Sequence, residues 1–217
     1  TVLAELTAYI AFAKQLSRLR RGAIVMTRGV SGSGKSHVSE KLPGFLPAVR
    51  LRSDVERKRL LGLDPHDDAT GRGAYSSELT RLTYERLGSL ADTVAASGYV
   101  AVVDATFLRR AQRDMFRSLA QSLRVPFLII DCDAPVQVLR ARIIARREQA
   151  GNVSDADLGV LDAQLASCET LSDTEHATRI LVTPGKPLDR DEIVNRIRDW
   201  PDGHDVEDVY GRSAVTD

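Results

Sequence analysis

The sequence has 217 residues, 43% of them hydrophobic and 28% charged, which is typical of a globular protein and long enough for one α/β domain with a buried core. Its 30 basic residues balance its 30 acidic residues, so no net charge attracts the whole chain to nucleic acid or to an anionic membrane. Two cysteines without metal-ligand spacing, and the lack of a membrane-span or signal-peptide pattern, favour a cytoplasmic protein.

The first 21 residues have the pattern of an amphipathic helix, with apolar residues at three- and four-residue steps and arginines near the end. Because the chain begins with Thr1 rather than Met, we interpret it as part of a longer protein. We predict a linker helix at residues 1–21, one domain at 22–200 and a polar tail at 201–217.

A glycine-rich segment follows the first predicted strand, the apolar run at residues 24–27. It matches the pattern G-x-x-x-x-G-K-[ST], in which glycines let phosphate oxygens approach the backbone amides without obstruction by Cβ atoms. The lysine of this pattern reaches the β- and γ-phosphates, and the hydroxyl residue binds Mg²⁺. The strand before the segment and the helical pattern after it argue against a chance match. The predicted nucleotide contacts are Gly29, Val30, Ser31, Gly32, Ser33, Gly34, Lys35 and Ser36, with Lys35 also catalytic and Ser36 also a metal ligand.

A short strand is predicted at residues 48–52, and Asp54 follows its carboxyl end, where a doubly wound sheet binds ligands. A carboxylate at this place can accept the proton of an attacking hydroxyl, although a helix N-cap formed by Ser53 or Asp54 is the simpler alternative. We interpret Asp54 as the catalytic base. Further candidate contacts of the acceptor are Arg52, Arg57 and Thr106.

A second strand-end carboxylate follows the apolar run at residues 99–103. Residues 62–73, rich in Gly, Asp and His, predict a surface loop rather than a metal site, and leucines at helical spacing predict a helix at 75–97. The run at 99–103 leads directly into Asp104, as in the Walker B pattern, whose carboxylate contacts the metal or its water. We therefore predict Asp104 as a metal ligand beside Ser36.

The segment 135–150 carries the densest positive charge of the chain, interleaved with apolar residues at helical spacing. Arg142 and Arg146 border the apolar face and can reach a cleft, whereas Arg140 lies further round the helix. A glycine joint and another helical pattern follow. We interpret residues 135–170 as a lid over ATP, with Arg142 and Arg146 catalytic and Arg140 nucleotide-binding; a solvated basic helix is the alternative.

The remaining pattern alternates helices, at residues 109–123 and 188–200, with strands at 126–131 and 178–182. Together the motifs resemble the small P-loop kinases of the polynucleotide-kinase-like group. They resemble more closely the ATP-binding domain that is often fused to an aminoglycoside-phosphotransferase-like domain and is known only as a predicted kinase. The resemblance covers about residues 22–200 and rests on Gly29 to Ser36, Arg52-Ser53-Asp54, Val102-Val103-Asp104-Ala105-Thr106, and the lid arginines followed by Ser154-Asp155-Ala156.

This resemblance implies a three-layer α/β/α fold of the P-loop NTPase type, with a five-stranded parallel sheet and a helical lid. It also implies ATP and Mg²⁺ as cofactors, Asp54 as the base for an acceptor hydroxyl, and lid arginines on the phosphates. Thr183 and Gly185 would lie near the adenine. Two positions depart from the group: His37 stands where threonine is common, and Phe107 where kinases of nucleic-acid ends often carry asparagine.

Other classes of nucleotide-binding protein fit the sequence less well, since it contains neither the Asn-Lys-x-Asp motif of GTPases nor the Leu-Ser-Gly-Gly signature of ABC-type ATPases. Three functions remain: a kinase of a small hydroxyl compound, a kinase of nucleic-acid 5′ ends, and a non-catalytic ATP-binding module that regulates a fused partner. Neutral charge and 5% aromatic residues disfavour an extended nucleic-acid surface. We therefore expect a small-molecule kinase without membrane contact, whose acceptor the sequence does not identify.

Overall fold

The structure is a computed structural model that describes residues 6–7, 22–64, 76–148 and 158–201, with the backbone alone for residues 146–148. Four predicted features lie outside the described residues, wholly or for the most part. They are the linker helix at 1–21, the loop at 62–73, the joint with the following helix start at 151–157, and the tail after residue 201.

Within the described residues, five parallel strands form one sheet in the order β2-β3-β1-β4-β5. Strand β1 lies at the centre, paired with β3 on one side and β4 on the other. The chain leaves β1 for one side of the sheet and crosses to the other side after β3, so a ligand site is expected at the carboxyl end of β1. The predicted α/β fold with a five-stranded parallel sheet is thus confirmed. The strands are β1 (Ala23–Arg28), β2 (Ala48–Arg52), β3 (Val100–Asp104), β4 (Phe127–Cys132) and β5 (Arg179–Val182).

Helices connect the strands and pack on the sheet. The longest helix begins after Ser76, whose hydroxyl accepts a hydrogen bond from the backbone N–H of Leu79. None of the described helices is long and apolar enough to cross a membrane. The helices are α1 (Lys35–Lys41), α2 (Ser53–Leu60), α3 (Ser77–Ala96), α4 (Arg110–Leu123), α5 (Val136–Glu148), α6 (Leu158–Ser167), α7 (Asp173–Ala177) and α8 (Arg190–Arg198), with a 3₁₀ turn at Leu42–Gly44.

Burial differs between the centre and the edge of the sheet. Strands β1, β3 and β4 are buried almost throughout, which accounts for their continuous apolar runs in the sequence. Strand β2 lies at the edge, where Val49 is exposed and Arg50 and Arg52 are half-buried. A second, smaller core joins Val30, which follows β1, to α5 and α6. This smaller core contains Val30, Leu108, Ala134, Leu139, Ile143 and Leu161.

A buried ion pair fixes the connection between α6 and β5. Arg113 and Glu175 lie 2.5 Å apart (Nε to Oε1), with side chains only 1% and 2% exposed. Arg113 also donates to the backbone oxygen of Thr170 at 2.9 Å, and Glu175 accepts from the backbone N–H of Ser172 at 2.8 Å. Burial raises the pKa of Glu175, but the hydrogen bonds and charge of Arg113 and the bonds from Ser172 lower it by more, so its pKa lies below the usual value.

Arg113→Met should lower the free energy of unfolding by about 3–5 kcal/mol, because it leaves the Glu175 carboxylate buried without its counter-charge. Arg110→Met is the matched control on the same helix: the Arg110 side chain is 60% exposed and lies 3.5 Å from Asp114, so its loss should stay below about 1 kcal/mol. Chemical denaturation measures both values. Equal losses in the two variants would contradict the role of the buried pair.

The same pair sets part of the acid sensitivity of the fold. Because the pKa of Glu175 in the folded protein lies below its reference value of 4.5, its contribution to stability is complete above that pH and is lost as the pH falls through the lower folded value. Glu175→Gln should therefore be less stable than the wild type at pH 7, and should lose less stability on acidification below pH 4.5. Chemical denaturation of both proteins at a series of pH values measures this difference. If the free energies of unfolding of the two proteins fell in parallel below pH 4.5, the proposed effect of Glu175 would be ruled out.

Candidate active site

The glycine-rich loop connects the end of β1 with the start of α1. Gly29 and Gly32 have φ angles of 140° and 82°, a backbone conformation that residues with a Cβ atom rarely adopt. A Cβ atom at Gly29 would lie 2.4 Å from the backbone oxygen of Cys132. The loop therefore packs against the end of β4 at a distance that only glycine permits.

The polar groups of the loop suit an anion. The Lys35 ammonium donates to the backbone oxygen of Val30 at 2.8 Å, and the backbone N–H of Ser31 donates to Oε1 of Gln164 in α6 at 2.7 Å. The buried hydroxyl oxygen of Ser33 has no hydrogen-bond partner among the described residues. Because buried polar atoms normally have partners, this hydroxyl, the ammonium and the glycine-rich backbone fit a polyphosphate chain.

The two helices of the predicted lid pack directly on this loop. The Arg142 guanidinium of α5 donates to the backbone oxygen of Gly32 at 3.0 Å (Nη1 to O). Arg140 instead pairs with Asp162 of α6 at 2.5 Å (Nη2 to Oδ1), and so connects the two helices to each other. Arg142 therefore lies at the loop, as its border position predicts. The side chain of Arg146 lies outside the described residues.

Asp104 ends β3 and is buried. Its Oδ2 accepts hydrogen bonds from the Ser39 hydroxyl at 2.8 Å and from Arg50 Nη2 at 2.6 Å. The described residues contain no group of three or more His, Cys, Asp or Glu side chains that could hold a metal. Mg²⁺ in phosphoryl-transfer sites, however, takes only one or two protein oxygens together with phosphates and water. The Ser36 hydroxyl and the Asp104 carboxylate fit this requirement, with the Arg50 guanidinium competing for the carboxylate.

Asp54 lies in the first turn of α2, just beyond the carboxyl end of β2, where Arg52 is the register partner of Asp104. Its carboxylate accepts from Arg52 at 2.5 and 3.2 Å (Nη2 and Nε), and Oδ1 also accepts from the backbone N–H of Val55 at 2.9 Å. About a third of each charged side chain is exposed, 34% for Asp54. The N-cap position is Arg52, without a side-chain cap hydrogen bond, and Asp54 satisfies one amide of the first turn, so its structural role at the start of the helix stays open beside the catalytic one.

A hydroxyl cluster lies after β3. Thr106 Oγ1 is 3.3 Å from the Tyr84 hydroxyl, which accepts from the backbone N–H of Phe107 at 3.2 Å. Burial raises the pKa of Tyr84, and the two hydrogen bonds and the charge of Arg57 offset this only in part. Phe107 has a φ of 47° and is fully buried between the rings of Tyr84 and Phe116, an uncommon conformation for a bulky residue. The Tyr84 hydroxyl thus bonds to Thr106 and feels the charge of Arg57, so both of these predicted acceptor contacts act on the same group.

A cavity of about 560 Å³ opens beside the loop, within the range of small-molecule sites. It is lined by the loop glycines, by Arg142, by His37 of α1 and by the segment after β5, including Thr183. Thr183 therefore lines a cavity beside the phosphate loop, and its contact with the adenine stays a prediction. Gly185 lines a neighbouring depression, and Thr183 lines both this depression and the cavity, so the two predicted nucleotide contacts lie side by side.

Three residues around the site are not predicted from the sequence: Gln164, Arg50 and Tyr84. Gln164 lies three positions after the buried Leu161 of α6, a spacing that places both on one side of the helix. Arg50 and Arg52 share one side of β2 because side chains alternate along a strand. These periodicities are present in the sequence. The partners of Gln164 and Arg50, however, are Ser31 and Asp104 from distant segments, and no local sequence pattern indicates these contacts.

A phosphate loop after the central strand, a carboxylate at the end of the adjacent strand and the strand order 2-3-1-4-5 define a P-loop NTPase fold of the kind found in small kinases. A sequence model of the AAA domain family matches residues 24–171. The chain belongs to this family. Its relatives include an uncharacterized protein of Mycobacterium tuberculosis (strain H37Rv), which is 28% identical over 156 residues. That alignment spans 70% of this chain and 30% of the length of the relative.

Solved structures share the fold at low sequence identity. A sugar kinase from Janibacter, without ligand, has a TM-score of 0.58 and 21% identity, over 83% of this chain and 93% of that chain. The Mycobacterium tuberculosis APS kinase CysC, in complex with AMPPNP and APS, has a TM-score of 0.55 and 23% identity, over 82% and 96%. Chaetomium thermophilum Kti12, in complex with ADP-AlF3, has a TM-score of 0.60 and 15% identity, over 81% and 95%.

Gly32→Ala should lower both the melting temperature and the affinity for Mg-ATP. A Cβ atom at this position would lie 2.9 Å from the backbone oxygen of Leu139 in α5, and a left-handed conformation costs a non-glycine residue about 1–2 kcal/mol. If the free loop relaxes from this strain, binding must restore the loop conformation, so we expect about a tenfold weaker nucleotide affinity, since 1.4 kcal/mol corresponds to a factor of ten. Gly44→Ala is the matched control, because a Cβ atom there meets nothing within 4 Å. Thermal melts and calorimetry test both; similar behaviour of the variants would contradict the packing role.

Proposed function

We propose that the protein is an ATP-dependent phosphotransferase that moves the γ-phosphoryl group of Mg-ATP to a hydroxyl group of a small-molecule acceptor. The observation that carries this proposal is the convergence of the phosphate loop and two strand-end carboxylates, Asp104 and Asp54, at one edge of the sheet. Proteins of the same fold are named as kinases of small molecules, and one of them holds AMPPNP, which supports the same class.

In this proposal the polyphosphate lies along the loop from Gly29 to Ser36, and the adenine occupies the cavity near Thr183. Lys35 is already directed into the loop by its bond to the Val30 oxygen and reaches the β- and γ-phosphates. Ser36 and Asp104 would hold Mg²⁺, which neutralises charge on the transferring group. To do so, the Asp104 carboxylate would have to give up the Arg50 guanidinium that it binds here.

The acceptor approaches from the side of α2. Asp54 accepts the proton of the acceptor hydroxyl while the hydroxyl oxygen bonds to the γ-phosphorus and the bond from that phosphorus to ADP breaks. Arg52 holds the carboxylate in the absence of acceptor, and its release frees an oxygen for the proton. Arg57 and Thr106 position the acceptor beside the Tyr84 hydroxyl. In one in-line step the proton thus passes to Asp54 and the phosphoryl group passes to the acceptor oxygen.

Positive charge for the transition state comes from the lid. Arg142 is anchored on the Gly32 carbonyl and borders the cavity, so a short movement of its guanidinium brings it onto phosphate oxygens. Arg146 lies one helical turn further on and would join it. We also predict that Arg140 binds the nucleotide. Its ion pair with Asp162 connects α5 with α6, so it would have to leave this pair to reach the phosphates.

One observation favours a second candidate, a non-catalytic ATP-binding module. Both carboxylates needed for catalysis are bound by arginines, Asp104 by Arg50 and Asp54 by Arg52, as in a site that binds nucleotide without turnover. The relatives are much longer than this chain, which is compatible with regulation of an attached domain such as the predicted aminoglycoside-phosphotransferase-like one. A kinase of nucleic-acid 5′ ends remains the third candidate, disfavoured by the neutral charge and by the buried Phe107.

Phosphate transfer from labelled ATP to hydroxyl metabolites, aminoglycosides and 5′-hydroxyl oligonucleotides separates the three candidates. Product from a small molecule supports the proposed function, and product from an oligonucleotide supports the third candidate. Binding of Mg-ATP without product from any class supports the non-catalytic module. A cytoplasmic location stays a prediction.

Asp54→Asn should lower phosphoryl transfer by about 10²-fold or more, because the amide cannot accept the proton, while nucleotide affinity stays within severalfold. The matched control is Asp92→Asn, at an exposed position of α3, which should change neither quantity. Steady-state kinetics and calorimetry with Mg-ATP give the two values. An equal loss of transfer and of binding would remove Asp54 from the role of base.

Arg142→Ala should slow turnover by about 10-fold or more and weaken Mg-ATP binding less, because charge stabilisation counts most in the transition state. Arg81→Ala is a control of the same residue change on α3, where Arg81 forms only exposed ion pairs. Both variants are compared by kcat, by nucleotide affinity and by melting temperature. A lower melting temperature with unchanged turnover would show that Arg142 is merely structural.

A further inference from the structure

One peptide unit of the phosphate loop is held at both of its polar ends. The carbonyl oxygen of Val30 accepts from the Lys35 ammonium at 2.8 Å, and the N–H of Ser31 donates to Oε1 of Gln164 at 2.7 Å. These two groups belong to the same peptide plane. Among the described residues no peptide bond is cis, and in a trans peptide the carbonyl and the N–H point in opposite directions. Lys35 and Gln164 therefore lie on opposite sides of the Val30–Ser31 peptide.

The side that faces Lys35 is the phosphate side, because the lysine of this loop pattern reaches the β- and γ-phosphates. Gln164 therefore approaches from the outer side of the loop, where the lid packs. A rotation of the peptide plane would break both bonds at once, since it turns the carbonyl away from the ammonium and the N–H away from the carboxamide. The Gln164 bond thus opposes the rotation that would release Lys35.

Gln164 is well placed to do this because α6 is anchored near both ends. Leu161 is fully buried in the small core that contains Val30. Just after the helix, the backbone oxygen of Glu169 accepts from Arg28 Nη2 at 2.9 Å, and Arg28 is the last residue of β1. The carboxamide is therefore presented to the loop by a helix that is itself tied to the strand preceding that loop.

We infer that Gln164 is a positioning residue for nucleotide binding: through the Val30–Ser31 peptide it keeps the Lys35 ammonium directed at the phosphates, and it makes this direction depend on the docking of α6. This inference rests on the proposed function, since it assumes that the loop binds Mg-ATP. It assigns to the lid a role besides covering the nucleotide. From the outer side of the loop, α6 also sets the orientation of the Val30 carbonyl, which points to the phosphate side.

Gln164→Met removes the accepting oxygen but keeps an unbranched side chain of similar length and helix propensity. The matched control is Leu165→Met, the same new residue at the next, partly exposed position of α6. In Gln164→Met we expect hydrogen exchange of the loop amides to accelerate and Mg-ATP to bind about three- to tenfold more weakly, the factor that one net hydrogen bond is worth. Leu165→Met should match the wild type in both measurements.

The outcomes separate the inference from the proposed function. If the wild type does not bind Mg-ATP in calorimetry, the proposed function fails, while the exchange comparison still shows whether Gln164 holds the loop. Faster exchange with unchanged affinity would overturn the positioning role, and so would unchanged exchange. Loss of exchange protection along all of α6, with a lower melting temperature, would assign Gln164 to packing and would also overturn it.

Discussion

The structure depends on close contact between the backbone of the phosphate loop and two other backbone segments. At Gly29 the loop lies against the end of β4, and at Gly32 it lies against Leu139 of α5, in both places too close for a Cβ atom. Because the loop is held from two sides, its amides keep their orientation without a ligand, which lowers the entropic cost of binding one. The sheet and helices α5 and α6 are therefore positioned with respect to each other through the loop.

Arginine–carboxylate pairs form the second level of organisation. Asp104 is paired with Arg50, Asp54 with Arg52, and Asp131 at the end of β4 with both Arg28 and Arg179 at 2.7 Å. These pairs neutralise the carboxyl edge of the sheet locally, just as the whole chain has no net charge. A metal at Asp104 would therefore have to displace Arg50, whereas phosphates would meet Lys35 and Arg142, which donate to backbone oxygens of the loop.

The sequence predicts the fold and the framework of the site because their signals are local. The apolar runs of β1, β3 and β4 are continuous since both faces are buried, and the glycine pattern at Gly29 to Ser36 records a backbone constraint within a few residues. The pairing of Asp104 with Arg50 and of Ser31 with Gln164 involves segments far apart in the chain, and no periodicity reports it. The short helix α7 was also missing from the sequence prediction, since a single turn with a capping box at Ser172 is too brief for an amphipathic pattern.

Strand β2 has a consequence beyond the site. It is one of the two outer strands of the described sheet, and the outer backbone groups of an edge strand are a template on which another extended chain can add. Arg50 and Arg52 stand two residues apart along it and pair with Asp104 and Asp54, so charged side chains accompany this edge, a feature that disfavours strand addition. The arginines that bind Asp104 and Asp54 therefore also disfavour the extension of one copy of the sheet into the next, so the same two side chains serve local charge balance and solubility.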